Sequence, residues 1–305
     1  MSFMEEAWQL QLAREEFDAA VCCYAPKLAG RNPDIADIYR RLCDVEERLV
    51  PSGDYVVGSA RVNDELLVLH GLSRVLLTAE HATIQQRRGR LSVVEKEADI
   101  GTGALAEVTA QDTNASAIIA IGRQTGDPNW DPGHPLKNAL AEVIKLSQNR
   151  AHLSLHMLNR GRASAPTQKQ GYSILLGIGN KPSEATLALK DSMVEIGSDL
   201  ELKISVNQPH INFDEDHKLI LNDDGTPKTI TFAGAGLNTT RSFSEKLADA
   251  LGKGDNFAAI QVEINEVLLK LQNDEVAFPA QTDRELGTYL GYLFVKRAAQ
   301  AVGKL

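Results

Sequence analysis

The feature that most constrains the fold is a regular alternation of short apolar runs and longer helical patterns from residue 54 onwards. Runs of four to eight apolar residues bounded by turn residues are typical of buried strands. Buried strands separated by helices predict an α/β fold, with a mostly parallel or mixed sheet and helices on both faces. The candidate strands are Val56–Ser59, Leu66–Leu69, Arg74–Thr78, Ala117–Ile121, His152–His156, Ser173–Gly177, Glu201–Val206 and Ala258–Ile264; the candidate helices cover about residues 101–111, 134–149, 183–196, 243–251 and 282–301.

The N-terminal stretch has a different pattern from the rest of the chain. Residues 1–53 are predicted to be a helical appendage, in which Asp34 opens a helix that runs to about Leu49. We therefore divide the chain into a helical segment, residues 1–53, and an α/β hydrolase-type catalytic domain, residues 54–305. A packing role is the simplest interpretation of the segment, and a dimerisation or partner contact that gives a homo-oligomer is the alternative. A hairpin of Lys218–Leu221 and Thr229–Phe232 is also predicted, as an insertion.

Composition excludes several classes of function. The formal net charge of -9 disfavours nucleic-acid binding, because an acidic surface repels a phosphate backbone. Three cysteines, two of them adjacent at Cys22 and Cys23, predict no disulfide framework, which favours a reducing, cytoplasmic compartment. The N-terminus carries no signal-peptide pattern. No apolar run approaches the ~18 residues of a membrane span.

Two histidines occupy strand ends, where an open α/β sheet places its binding loops. His81 follows the apolar run Val75–Leu77, and His156 closes a strand in which His152, Ser154 and His156 share one face. Each histidine could simply be a loop or core residue, but together with Asp99 they form a candidate His, Asp, His zinc site. Asp99 could instead cap the helix that follows it. Glu80, which adjoins His81, is an alternative carboxylate ligand.

A carboxylate also stands within the late apolar strand. Alternation puts Gln261, Glu263 and Asn265 on one face of this strand. A buried glutamate is unfavourable unless it is paired or functional, so Glu263 is a candidate general base and acid. A half-exposed edge strand is the alternative. We assign Asn265 to substrate binding.

The loop after Ala117–Ile121 carries further polar residues. Arg123 is a candidate catalytic and substrate-binding residue, since its guanidinium could hold a substrate carboxylate. Asp127 and Asn129 are candidate substrate-binding residues in the same loop. His134, before Pro135, could join them or could only open the next helix.

The order of these motifs resembles the N-formylglutamate amidohydrolase family, which is related in fold to the zinc carboxypeptidases. The segments LLTAEHAT, EADIGTG, GRQTGDPN, SLH and QVEIN follow one another in that order over roughly residues 70–275. The chain departs from the family pattern where Glu80-His81-Ala82-Thr83 replaces Pro-His-Ser-Gly. It also departs where Ser154 replaces the aspartate of Asp-x-His, and where Trp130 replaces an arginine.

The resemblance implies a zinc-exopeptidase or phosphorylase/hydrolase-like fold and a bound Zn2+ held by His81, Asp99 and His156. Glu263 would be the catalytic carboxylate, with Arg123 and Asn129 orienting a substrate carboxylate. The expected function is zinc-dependent hydrolysis of an amide bond, of the N-formyl, N-acyl or peptide type, in a small molecule that carries a carboxylate. One alternative is a non-catalytic protein that binds a small ligand or partner on the same scaffold. Another is a nucleotide-binding enzyme that uses the loop Gly177–Lys181, which we interpret as a strand-to-helix turn.

Overall fold

The computed structural model describes thirteen strands and six helices, and the residues described are 34–49, 61–63, 66–83, 85–88, 93–96, 98–122, 124–158, 172–207, 209–211, 229–231, 239–269, 271 and 281–304. The strands are β1 (Arg61–Asn63), β2 (Leu66–Leu69), β3 (Val75–Ala79), β4 (Gln85–Arg88), β5 (Val93–Lys96), β6 (Ser116–Ala120), β7 (Gln124–Thr125), β8 (Ala151–Leu158), β9 (Ile174–Gly177), β10 (Ile204–Val206), β11 (Pro209–Ile211), β12 (Thr229–Thr231) and β13 (Ala258–Asn265). The helices are α1 (Asp34–Leu49), α2 (Thr102–Thr113), α3 (Pro135–Leu146), α4 (Glu184–Asp199), α5 (Thr240–Ala250) and α6 (Gln281–Ala301). Short 3-10 turns lie at Gly254–Asn256, Glu266–Leu268 and Val302–Lys304.

An eight-stranded mixed sheet, in the order β1-β2-β6-β3-β8-β13-β9-β10, forms the centre of the molecule. Its four central strands, β6, β3, β8 and β13, are parallel, whereas β2 and β9 flank them in the antiparallel direction. The carboxyl ends of β3, β8 and β13 therefore meet at one edge of the sheet. In the register, Thr78 of β3 faces Ser154 of β8, and His156 of β8 faces Glu263 of β13.

Helices cover both faces of this sheet, as the sequence predicts. Alternate strand residues such as Leu77 and Leu153 point into the larger core, which also receives side chains from α1, α2, α4 and α6. Their neighbours, such as Leu76 and Ile118, point into a second core that is covered by α3 and α5. Because successive residues of a strand point to opposite faces, each face of the sheet has its own apolar core under helices. The result is a three-layer arrangement of helices, sheet and helices.

Helix α1 packs directly on the larger core. Its Leu42 and Leu49 are almost completely buried, and a Cβ at Gly103 of α2 would lie 2.6 Å from Leu49, so glycine there allows the close approach. At the other end of the interface, the Arg41 guanidinium donates two hydrogen bonds to the carboxylate of Asp112, the shorter of 2.8 Å. This part of the N-terminal segment is a packing element. Residues 1–33 and 50–53 lie outside the described residues, so the oligomer contact stays a prediction.

The predicted strands differ from the structure in several details, and β1, β4, β5, β7 and β11 are not among them. The strand predicted from Glu201 begins only at Ile204, because Glu201 adopts a left-handed turn conformation with φ 55°. The predicted strand at residues 229–232 is present as β12, and it pairs antiparallel with β11. Its predicted partner, residues 218–221, and the candidate strand at residues 56–59 lie outside the described residues. Among the helices described, none has both the length and the apolar character needed to cross a membrane.

Candidate metal centre

The three predicted metal ligands meet at the carboxyl edge of the sheet. His81 lies in the turn after β3, His156 lies near the end of β8, and Asp99 precedes α2. One ligand atom from each residue lies within 4.8 Å of the other two, and the two imidazole centroids are 4.9 Å apart. Asp99 Oδ2 lies 3.5 Å from His81 Nδ1 and 3.4 Å from His156 Nδ1. The carboxylate of Asp99 thus faces the same ring nitrogen of both histidines and does not cap α2.

Two of the three ligand separations match a tetrahedral zinc ion, and the ligand atoms of the two histidines lie within 4.8 Å of each other. With bonds of about 2.0–2.1 Å to nitrogen and oxygen, the ligand atoms of a tetrahedral site are separated by about 3.3–3.4 Å. The two measured separations from Asp99 Oδ2, 3.4 and 3.5 Å, are close to that edge length. Three protein ligands leave a fourth position for water or substrate, which is the arrangement of a catalytic zinc.

In each histidine the inner ring nitrogen, Nδ1, faces Asp99, and the outer ring nitrogen, Nε2, faces a hydrogen-bond partner on the other side of the ring. His81 Nε2 lies 2.9 Å from Asp127 Oδ1, and His156 Nε2 lies 3.0 Å from Ser154 Oγ and 3.4 Å from Glu80 Oε2. Metal-binding histidines characteristically donate the second N–H to a carboxylate, a carbonyl or water, which fixes the ring and its tautomer. Glu80 therefore lies on the outer side of His156, and Asp99 is the carboxylate that faces both inner nitrogens.

The electrostatics of the cluster favour a cation. Burial would raise the pKa of Asp99, but hydrogen bonds from His156 and His81 outweigh it and hold that pKa well below its usual range. Burial would lower the pKa of His156, yet the charges of Glu80, Asp99 and Glu263 raise it to about 9. Several carboxylates thus surround two imidazoles in a largely buried site. A divalent ion between the inner nitrogens would offset this excess of negative charge.

Glu263 lies one strand away from His156. It occupies the facing position on β13, is 5% exposed, and accepts a hydrogen bond of 3.0 Å from the Gln261 amide on Oε1. Since β13 lies between β8 and β9 and ends at the same edge as β8, Glu263 is on a buried inner strand beside the ligand cluster and not on a wet edge strand. This position suits a group that exchanges protons with a molecule held at the cluster.

The residues predicted to bind substrate have internal partners in the structure. Asp127 accepts from His81 and from the backbone N–H of Asn129, which holds the loop in an Asx turn. The Asn129 side chain accepts from Thr240 N, and Asn265 both accepts from Val267 N and donates to the carbonyl of residue 172. Arg123 lies outside the described residues. Substrate binding by these four residues stays a prediction.

Two neighbouring predictions concern structural roles. His134 accepts from Leu136 N and caps α3, so it opens that helix, which is one of the two roles considered for it. The Gly177–Lys181 segment connects β9 to α4 and is the expected strand-to-helix turn. Because β9 runs antiparallel to β13, this turn lies at the edge of the sheet opposite the ligand cluster.

Sequence reasoning missed two buried polar residues next to the site. Thr78 Oγ1 lies 2.7 Å from Glu80 Oε1 and 2.8 Å from His152 Nε2. The Lys137 ammonium donates to Asn129 O at 2.8 Å and to Thr240 Oγ1 at 2.7 Å, tying the Asp127 loop to α5. The sequence carries a signal for Thr78, which lies two residues after Leu76 and so shares its strand face. It carries none for Lys137, since adjacent residues of a helix do not share a face.

The sequence matches no family model and no curated protein. Among solved structures, a bacteriophage poly-gamma-glutamate hydrolase is similar at 11% identity and a TM-score of 0.37, covering 82% of this chain and 94% of that one. A mutant futalosine hydrolase of Helicobacter pylori strain 26695 is similar at 10% identity and a TM-score of 0.35, covering 74% and 98%. A mutant pyrrolidone carboxyl peptidase of Pyrococcus furiosus is similar at 10% identity and a TM-score of 0.35, covering 75% and 98%. At these scores the likenesses carry no functional argument, and the function is argued from the site alone.

Proposed function

We propose that the protein is a zinc-dependent hydrolase that cleaves an amide bond of the N-formyl, N-acyl or peptide type. The observation that supports this most directly is the convergence of His81, Asp99 and His156, with Nδ1 of both imidazoles facing one carboxylate oxygen. When bound there, zinc would act as a Lewis acid that makes water more acidic and polarises a carbonyl group. A buried glutamate beside such a cluster provides the proton acceptor that hydrolysis requires.

Glu263 carries the proton transfers in this proposal. Its carboxylate removes a proton from water as the water oxygen bonds to the amide carbon. It then returns that proton to the nitrogen as the carbon–nitrogen bond breaks, so the products are an acid and a free amine. The Gln261 amide occupies Oε1 and thereby orients the carboxyl group.

The substrate is proposed to be a small molecule with its own carboxylate, held by Arg123 and oriented by Asn129. Asp127 supports the site as the hydrogen-bond acceptor of His81. Trp130, 48% exposed on the same loop, offers an indole surface to the remainder of the substrate.

The test is metal content together with amide cleavage. Protein purified without chelator is expected to contain about one zinc per chain by elemental mass spectrometry, and His156→Ala is expected to lose it. His70→Ala is the matched control, because His70 is exposed and outside the cluster. Amine release from a panel of N-formyl and N-acyl amino acids should stop with chelator and return with added zinc.

Two results would contradict the proposal in different ways. Equal zinc content in the parent and in His156→Ala would show that the metal site is wrong. Full zinc occupancy without cleavage of any amide in the panel would leave a metal-binding protein and favour the non-catalytic alternative.

A further inference from the structure

A fully buried carboxylate lies behind His156, on the side away from Asp99. Glu80 has 0% exposure, and its Oε1 receives Thr78 Oγ1 at 2.7 Å and Ser154 Oγ at 2.8 Å. Its Oε2 lies 3.4 Å from His156 Nε2 and has no other hydrogen-bond partner among the described residues. Burying such a group is unfavourable unless its neighbours stabilise the charge.

The proton arrangement around Glu80 follows from the number of hydrogens available. Both hydroxyl groups donate to the same carboxylate oxygen, Oε1, Thr78 Oγ1 over 2.7 Å and Ser154 Oγ over 2.8 Å. Each hydroxyl group has a single hydrogen, which it gives to Glu80. A second group within hydrogen-bond distance of the hydroxyl oxygen must therefore donate its own hydrogen to that oxygen.

For Ser154, that second neighbour is His156 Nε2 at 3.0 Å. The Nε2 atom must then carry a hydrogen, which it directs at Ser154 Oγ and at the second oxygen of Glu80. Metal binding displaces the hydrogen of the ligating nitrogen, and a ring that keeps its hydrogen on Nε2 then offers the lone pair of Nδ1, the atom that lies 3.4 Å from Asp99. The opposite tautomer would place a hydrogen where the metal is proposed to bind.

We infer that Glu80 is a positioning residue that acts through the Ser154 hydroxyl to hold His156 with Nε2 protonated and Nδ1 free to bind a metal. This inference rests on the proposed zinc site. We call the chain of hydrogen bonds from Glu80 through the Ser154 hydroxyl to His156 the relay. Its position is fixed by the sheet, because Thr78 and Ser154 face each other on adjacent strands and both donate to Oε1 of Glu80. The ring orientation of His156 is thus built into the sheet.

The chain of contacts continues on the other side of Glu80. The Thr78 hydroxyl donates to Glu80, and its oxygen lies 2.8 Å from His152 Nε2. His152 Nδ1 lies 2.8 Å from Ser244 Oγ on α5. This chain of contacts therefore anchors the carboxylate to the helix that covers this face of the sheet.

The experiment compares zinc affinity in Glu80→Gln, Ser154→Ala and the exposed control Glu142→Gln. A glutamine at position 80 can turn an N–H towards His156 Nε2, which favours the wrong tautomer, and alanine at 154 removes the relay. Both variants are expected to bind zinc about 10–100-fold more weakly than the parent in competition with a chromophoric chelator, since losing an outer partner of a metal-binding histidine has that effect. Glu142→Gln is expected to match the parent.

A second readout separates positioning from a general loss of structure. In the cobalt-substituted protein, the N–H proton of His156 should give a slowly exchanging, hyperfine-shifted NMR signal. That signal should exchange faster with solvent in Ser154→Ala while circular dichroism stays unchanged. If Glu80→Gln fails to fold, Ser154→Ala decides the question alone.

The outcomes distinguish the two proposals. A parent protein that binds neither zinc nor cobalt overturns the metal site and this inference with it. A parent that binds zinc, beside folded variants of equal affinity and unchanged N–H exchange, leaves the metal site intact and overturns the role of Glu80.

Discussion

The carboxylate of Asp127 accepts a hydrogen bond from His81 Nε2 over 2.9 Å, which turns the other ring nitrogen towards Asp99. The same oxygen, Oδ1, accepts hydrogen bonds from the backbone N–H groups of Asn129 and Trp130. The backbone of the loop therefore holds the carboxylate in place, and the carboxylate in turn holds the histidine. Asp127 thus links the shape of a surface loop to the orientation of a proposed metal ligand.

From this contact we predict that Asp127→Asn weakens zinc binding about 10–100-fold, because an amide is a poorer acceptor for the His81 N–H than a carboxylate. Asp255→Asn is the matched control, since Asp255 is exposed and outside the cluster. Chelator competition measures both dissociation constants. Equal constants for Asp127→Asn and the parent would mean that Asp127 does not tune His81.

Substitution of Glu263 separates metal binding from proton transfer. We expect Glu263→Gln to retain about one zinc per chain and to lose about 10²–10⁴-fold in kcat, the range associated with general acid–base catalysis. Glu195→Gln, an exposed substitution on α4, should keep the parent rate. Amine release under saturating substrate gives kcat, and a parent-like rate in Glu263→Gln would rule out the general base.

The packing of α1 predicts a stability difference between two leucines. Leu42 is 1% exposed in the larger core, so Leu42→Ala is expected to lower the free energy of unfolding by about 2–5 kcal/mol. Leu72 is 90% exposed, and Leu72→Ala should change it by less than about 0.5 kcal/mol. Urea denaturation gives both values. Similar effects at the two positions would show that α1 does not contribute to the cooperative core.

Glu46 predicts a pH dependence of stability. Its burial raises its pKa from 4.5 to about 7, although backbone N–H groups of Gly101 and Ala104 oppose the shift. Between pH 4.5 and 7 the folded state therefore binds more protons than the unfolded state, and the free energy of unfolding falls as the pH rises. Glu46→Gln, which mimics the protonated form, should equal the parent near pH 4.5 and exceed it by at most about 3 kcal/mol at pH 8.

Chemical denaturation at pH 4.5, 6 and 8 measures this effect. The control is Glu47→Gln, because Glu47 is the exposed neighbour on the same helix. Parallel pH profiles for the parent and Glu46→Gln would contradict the assignment of this titration to Glu46.

The sequence was most informative where periodicity and chemistry agreed. Alternation placed His152, Ser154 and His156 on one strand face, and the structure confirms this pattern through their contacts with Ser244 and Glu80. The helices and the buried strands of the central sheet were also predicted well, since buried parallel strands are continuous apolar runs bounded by turns. The short strands β1, β4, β5 and β7 were missed, because two to four residues, most of them polar, give no such run.

The sequence was least informative about which carboxylate faces the proposed metal position and which supports a histidine from behind. Asp99 and Glu80 both adjoin plausible ligand positions, and only the direction of each side chain separates the inner from the outer side of His156. Ser154 of β8 and Glu80, just after β3, contact each other across two strands. Hydrogen bonds between residues 74 positions apart cannot be inferred from local spacing.

One contact described by the structure bears on how far the chain can be shortened. Glu46 accepts the backbone N–H of Gly101 at 3.0 Å, and Gly101 is two residues beyond Asp99. A fragment that begins at residue 54 would lack Glu46, the hydrogen-bond acceptor of the Gly101 N–H, and would expose the side of α2 that packs against α1. We expect the smallest fragment able to hold an ion between His81 and His156 to begin no later than Asp34.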